Sequence, residues 1–205
     1  MPPISILVEG NLDETVAREI IDTAGGTVGT VYGRRGVDYI EKKISGFNQL
    51  AQGVPILTLV DLMDLDSDCP AEIVRDWLPH RHNQMLFRLV VREIESWILA
   101  DRASISRFFG LRKALIPHHP EQLEDPKATL VELADSSQRQ GLRNAIVPDD
   151  PTMNDEGPAY TMRVQRFVRN QWSVRDAAKN APSLHRCVRA VRRVVDSSEL
   201  QGSPL

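Results

Sequence analysis

Four short apolar runs, each followed by a helical pattern, constrain the fold more than any other feature of the chain. Residues 4–8, 27–32, 56–60 and 85–91 are rich in β-branched and aliphatic side chains, and are the right length for buried strands. Between the first two, Val16, Ile20 and Ile21 recur at helical spacing, with Asp13 and Glu14 in the first turn and Gly25-Gly26 as the stop. Residues 37–51 carry Ile40, Ile44 and Phe47 on one face and end at Gly53-Val54-Pro55. Residues 70–78 and 93–101 read as two further helices. Such alternation predicts an α/β fold: an open, mostly parallel sheet of about four strands flanked by helices.

The second half has a different texture. The loop LIPHHPEQLEDP ends at Pro126, helical patterns cover 127–135, 161–172, 174–180 and 183–195, and an acidic loop covers 148–158. The expected organisation is an α/β core over 1–110 and a helical C-terminal extension over 111–205, packed as one compact unit. The final stretch, SSELQGSPL, is expected to fray. With 205 residues, 41% of them hydrophobic and 26% charged, the chain can build a core without staples. Its two cysteines, Cys69 and Cys187, have no metal-ligand spacing, so a reducing cytoplasm is the expected location. The start MPPISILVEG lacks the basic segment of an export signal. No apolar stretch approaches the roughly 20 residues of a membrane span, so no membrane partner is expected.

Acid is concentrated where an open sheet places ligands, beyond the carboxyl ends of its strands. Glu9 ends the first apolar run. The third runs into LTLVDLMDLDSDCP, with Asp61, Asp64, Asp66 and Asp68 inside eight residues. Glu93 and Glu95 follow the fourth. If the strands are neighbours, five or more carboxylates converge on one crevice. An oxygen-only donor set suits Mg²⁺ or Mn²⁺ rather than zinc. Asp64-x-Asp66-x-Asp68 also mimics the start of a calcium loop, but Cys69 and Arg75 occupy the positions where that loop needs Gly and Glu. Asp68 reads more simply as a cap before Pro70. Glu93 and Glu95, two apart, share a face on a strand but not on a helix.

Taken together, VEG (8–10), LVDLMDLD (59–66) and VREIESWILAD (91–101) resemble a Toprim domain, and more closely a group of uncharacterised bacterial proteins with a Toprim-like core. The closing segment FVRNQWSVRDAAKNAPSLHRCVRAV (167–191) is similar to theirs as well, so the resemblance covers nearly the whole chain. It implies a metal-dependent nuclease related to the nuclease half of OLD-type phage-defence proteins. Glu9, Asp61, Asp64 or Asp66, and Glu93 or Glu95 would then hold one or two Mg²⁺ or Mn²⁺. Glu9 would be a ligand or a general acid/base, and Lys127, Arg34 or Arg35 would supply a cation at the phosphate. The chain departs from the pattern in one respect: Asp61 and Asp64 are separated by two residues where the family has one. There is no Gly-rich Walker loop, so any ATPase would be a separate polypeptide. The rival reading is a non-catalytic module that binds nucleic acid or regulates an ATPase.

Net charge is −3, which excludes a uniformly basic nucleic-acid binder, but the distribution is uneven. Residues 162–195 carry eight arginines and one lysine against a single acid, Asp176. Arg163, Arg166 and Arg169, then Arg186, Arg189 and Arg193, recur at helical spacing opposite apolar stripes formed by Val164, Phe167 and Val168 and by Leu184, Val188, Val191 and Val195. These arginine faces read as solvated surface, as phosphate contacts to DNA or RNA, or as partners for acids on another chain. Trp97 and Trp172 read as core. His80, His82, His118 and His119 flank prolines and read as solvent-facing.

Overall fold

In the computed structural model, which describes residues 3–65 and 69–201 with the side chains of 198–201 excepted, the chain is an α/β protein with a four-stranded, all-parallel open sheet. The strands are β1 (Ile4–Val8), β2 (Val28–Gly33), β3 (Ile56–Asp61) and β4 (Met85–Val90), in the order β2-β1-β3-β4. Every pairing is parallel, with Ile6 opposite Leu57 and Asp61 opposite Val90. The central strands β1 and β3 are buried almost throughout, as continuous apolar runs covered on both faces should be. Edge strand β2 is only half-buried.

Two compact units emerge. The first comprises residues 1–91 and 183–205 and contains the whole sheet. Helix α1 (Asn11–Thr23) links β1 to β2, and α2 (Val37–Leu50) links β2 to β3. Ile40 and Ile44 of α2 and Ile73 of α3 (Pro70–Trp77) pack with Leu7, Ile56, Val60, Met85 and Phe87 on one sheet face. By strand alternation, Ile6, Val8, Leu57, Leu59 and Arg88 face the other side. Val16, Ala17, Ile20 and Ile21 form the buried stripe of α1. The long final helix α10 (Pro182–Gln201) supplies Leu184, Cys187, Val188, Val191 and Val195 as its buried stripe. That helix continues past Ser197, where fraying was expected; residues 202–205 lie outside those described.

The second unit, residues 92–182, is helical. It contains α4 (Ile94–Leu99), α5 (Arg102–Phe109), α6 (Pro126–Asp135), α7 (Gln140–Ile146), α8 (Tyr160–Gln171) and the single turn α9 (Val174–Ala177). Trp97, Phe109 and Phe167 are fully buried, and the Phe108 ring lies 4.6 Å from that of Phe167. The compact division falls after Val91 and returns the last helix to the sheet unit, whereas the expected boundary at 110 coincides with Gly110, the left-handed C-cap of α5.

The helix expected over 93–101 is α4, shorter at both ends, and a second helix, α5, follows it at once. The chain leaves β4 through Arg92, which adopts a left-handed φ of 66°. Helix α4 then stops at Ala100, because Asp101 turns its side chain onto the next helix start. Asp101 accepts a hydrogen bond from Ser104 N–H at 3.1 Å and another from Ser173 N–H at 2.8 Å, so it caps α5 and fastens α9 together. Among the described residues, no helix is long and apolar enough to cross a membrane.

Candidate functional site

Glu9 follows β1 and Asp61 ends β3, so the adjacency of these strands brings the two residues together. The Asp61 backbone N–H donates to Glu9 Oε1 at 2.8 Å. The backbone around Glu9 is fixed from the β2 side. Arg34 N–H donates to the Val8 carbonyl at 2.7 Å, and Gly36 N–H to the Glu9 carbonyl at 3.2 Å. Gly33 makes this possible. It adopts φ +88°, and a Cβ there would lie 2.2 Å from the Val8 carbonyl oxygen, so no other residue fits.

Two more carboxylates join this pair. Asp13, in the first turn of α1, is buried and its Oδ2 lies 3.1 Å from where a Cβ on Gly10 would stand. Asp64 sits in the short 3-10 turn that follows β3, with its carboxyl in hydrogen-bonding reach of Glu9. Burial is the main cause that pushes the Glu9 carboxyl up, from its ordinary 4.5 to about 8; the Asp61 N–H opposes it, and the charges of Asp13 and Asp64 reinforce it. Asp66 lies outside the described residues, as does Asp68; the residue preceding α3 is Cys69.

The second unit holds a further acidic arrangement. Glu93 precedes α4, and its Oε1 accepts the Lys127 backbone N–H at 2.6 Å, at the start of α6. Glu95 is buried within α4 and accepts the Tyr160 hydroxyl at 2.8 Å. Burial, with Glu93 nearby, lifts the Glu95 carboxyl to about 7, against the opposing influence of Lys127 and the Tyr160 hydroxyl. Burial beside Glu95 likewise holds the Tyr160 phenol well above its ordinary range. The two glutamates therefore diverge, one to a helix start and one to a buried phenol. The Lys127 ammonium lies 4.0 Å from Glu156 Oε2.

The candidate cations belong to several elements of the two units. Arg34 pairs with Glu14 at 3.2 Å, and the Arg35 guanidinium lies 5.4 Å from the Tyr39 ring centre. Arg166 and Arg169 are exposed on α8, and Arg163 is half-buried. Arg186, Arg189 and Arg193 are exposed on α10, in the same unit as Glu9. Trp97 and Trp172 are core residues, as expected. His82 is engaged rather than solvent-facing: its Nδ1 accepts Gln84 N–H and its own N–H donates to Asn48.

Asp13 and Tyr160 were not legible as site residues in the sequence. The signal for Asp13 is its place four residues after Glu9, one helical turn into VEGNLDE. Nothing local marks Tyr160, whose partner is 65 residues away. Among the described residues, no group of three or more His, Cys, Asp or Glu side chains is gathered tightly enough to form a ready-made metal cage. The donor chemistry at Glu9 is nevertheless that of a hard cation: oxygen ligands only, crowded enough to hold back a proton. No family model, curated protein or solved structure matches the chain.

Proposed function

We propose that the chain is a metal-dependent hydrolase of nucleic-acid phosphodiesters, of the Toprim-like kind that its sequence resembles, with its reactive centre at Glu9, Asp61 and Asp64. The observation that carries the proposal is the carboxyl cluster at the carboxyl ends of two adjacent central strands, in which Glu9 keeps its proton to about pH 8. Carboxyls that repel one another are costly to crowd together at a site where Asp13 is buried, Glu9 and Asp61 are half-buried and only Asp64 is exposed, and a fold retains them where a cation or a proton offsets the charge.

In this reading Glu9, Asp61 and Asp64 would hold Mg²⁺ or Mn²⁺. When bound, such ions polarise the phosphate and lower the pKa of water. The protein's own contribution is positioning. Asp61 N–H holds Glu9 through Oε1, and Gly33 and Arg34 fix the Val8 carbonyl behind it. Glu9 releases its proton when a cation replaces it, and its affinity near 8 suits proton transfer close to neutral pH. Asp13 reinforces the negative potential from the start of α1. The arginine face of α10, carrying Arg186 and Arg189, supports a polyanionic substrate. The phage-defence setting and a separate ATPase partner rest on the resemblance alone, and co-purification from the native host tests them.

The direct test is incubation of purified wild type with Mg²⁺ or Mn²⁺ and single-stranded DNA, duplex DNA and RNA. Cleavage that EDTA stops and that Glu9→Gln and Asp61→Asn abolish is the expected outcome. Binding without cleavage would leave a non-catalytic nucleic-acid module, and the proposal would fall.

A further inference from the structure

At the other end of the same sheet lies a cavity of about 600 Å³ between the amino end of β4 and α10. It is lined by Arg81, Arg88 and Arg193, by Asn83 and Gln84, and on its apolar side by Met85, Leu86, Ala190 and Val194. Among the described residues, no acidic side chain lines it. Glu9 and Asp61 stand at the carboxyl ends of the strands, so this cavity is distinct from the acidic cluster.

Three observations single it out. First, Arg88 projects from a strand into a half-buried position, where its Nε is sealed from solvent and makes no hydrogen bond among the described residues. A buried guanidinium donor without an acceptor is costly. Second, no ion pair joins Arg81, Arg88 or Arg193 to an acid among the described residues; Arg193 Nε reaches only the Arg189 carbonyl, at 3.4 Å. Third, the nearby Cys187 offers no counter-charge, because burial pushes its thiol up to about 12. Burial pulls the Arg88 guanidinium below its ordinary affinity for a proton; Cys187 opposes this when it ionises, and the positive charges of Arg81, Arg193 and Arg186 add to it. The fold thus concentrates positive charge that no acid among the described residues pairs with.

We propose that this cavity binds a small organic polyphosphate of the nucleoside di- or triphosphate class. Three guanidiniums around one opening match a multiply charged phosphate chain, since their planar N–H forks bind phosphate oxygens in pairs. A single carboxylate would leave most of that charge uncompensated. The volume is in the range of small-molecule sites. Met85, Leu86, Ala190 and Val194 form an apolar wall for a flat organic body, and the amides of Asn83 and Gln84 present both donors and acceptors to its edge. The inference is independent of the hydrolase reading, because it uses neither the acidic cluster nor a metal.

The test is calorimetric titration in EDTA, which removes any contribution from divalent ions. The probes are inorganic tripolyphosphate and the four ribonucleoside triphosphates, against wild type, Arg88→Gln, Arg193→Gln and the control Arg112→Gln, an exposed position in the other unit. Tripolyphosphate binding to wild type and to the control, weakened at least about tenfold in both cavity variants, is expected. At least one nucleoside triphosphate should bind more tightly than tripolyphosphate. Equal affinity for tripolyphosphate and every nucleotide would overturn the nucleoside assignment. Absence of binding by all probes, or equal binding by all four proteins, would overturn the site. Thermal unfolding guards against a folding artefact: Arg88→Gln should melt no lower than wild type without ligand, since it removes an uncompensated charge, and should lose the ligand-induced rise in Tm. A lower ligand-free Tm would assign Arg88 a structural role and overturn the proposal.

Discussion

Replacing Glu9 by glutamine should make the protein more stable than wild type near pH 9 and leave it nearly unchanged near pH 5. The native carboxyl keeps its proton to about 8, against an ordinary 4.5. Between these values the folded chain binds a proton that the unfolded chain has lost, so wild-type stability falls as pH rises through the window. At about 1.4 kcal/mol per pH unit the full displacement would be worth about 5 kcal/mol; partial exposure and proton sharing with Asp64 reduce this to roughly 2–4 kcal/mol. Glutamine keeps the acceptor for Asp61 N–H and the volume of the side chain but cannot titrate. Urea unfolding followed by tryptophan fluorescence at several pH values, in EDTA, reads the effect. The wild-type curve should slope downward from about pH 5 to about pH 8 more steeply than the variant's by the amount given. Parallel curves, or a variant less stable than wild type near pH 9, would refute the claim that Glu9 is a proton-holding carboxyl crowded by its neighbours.

Other perturbations test the surroundings. Gly33→Ala forces a Cβ against the Val8 carbonyl at positive φ, and chemical unfolding should report a loss of about 3 kcal/mol or more. Tyr160→Phe removes the hydroxyl that stabilises the Glu95 carboxylate. The cost should be about 1–2 kcal/mol and should grow as pH rises through about 7, because Glu95 must then ionise without its donor. Asp101→Ala strips the acceptor from Ser104 and Ser173 N–H groups, and thermal unfolding should show a loss of about 3 kcal/mol.

The sheet was legible because its signal is local. The apolar runs at 4–8 and 56–60 are too short and too continuous for anything but buried strands, and the helices between them force parallel neighbours. Strand ends then carry Glu9 and Asp61 together without any knowledge of side-chain geometry. Legibility failed where the determining contact is distant. Asp101 reads as the tail of a helix until Ser173, 72 residues on, is seen to donate to it. Helix α5 hid in the same way, although Asp101 and Gly110 bracket it as N-cap and left-handed C-cap. Glu93 and Glu95 looked like one feature because they are close in sequence; a helix start between them sends their carboxylates to different partners. Arg88 carried no signal at all. It lies inside the apolar run 85–91, and its significance depends on Arg81 and Arg193 converging from a loop and a helix remote in sequence.

Titration of purified, metal-free protein with Mn²⁺ across about pH 6–9, for wild type, Glu9→Gln, Asp61→Asn and Asp64→Asn, tests the central claim most directly. If Glu9, Asp61 and Asp64 hold a cation in competition with the proton on Glu9, wild-type affinity should climb by up to tenfold per pH unit and level off above about 8. Each substitution should weaken binding at least about tenfold, and Glu9→Gln should erase the pH dependence. Wild-type protein that takes up no Mn²⁺ at millimolar concentration, or variants that bind it as wild type does with the same pH profile, would contradict the account.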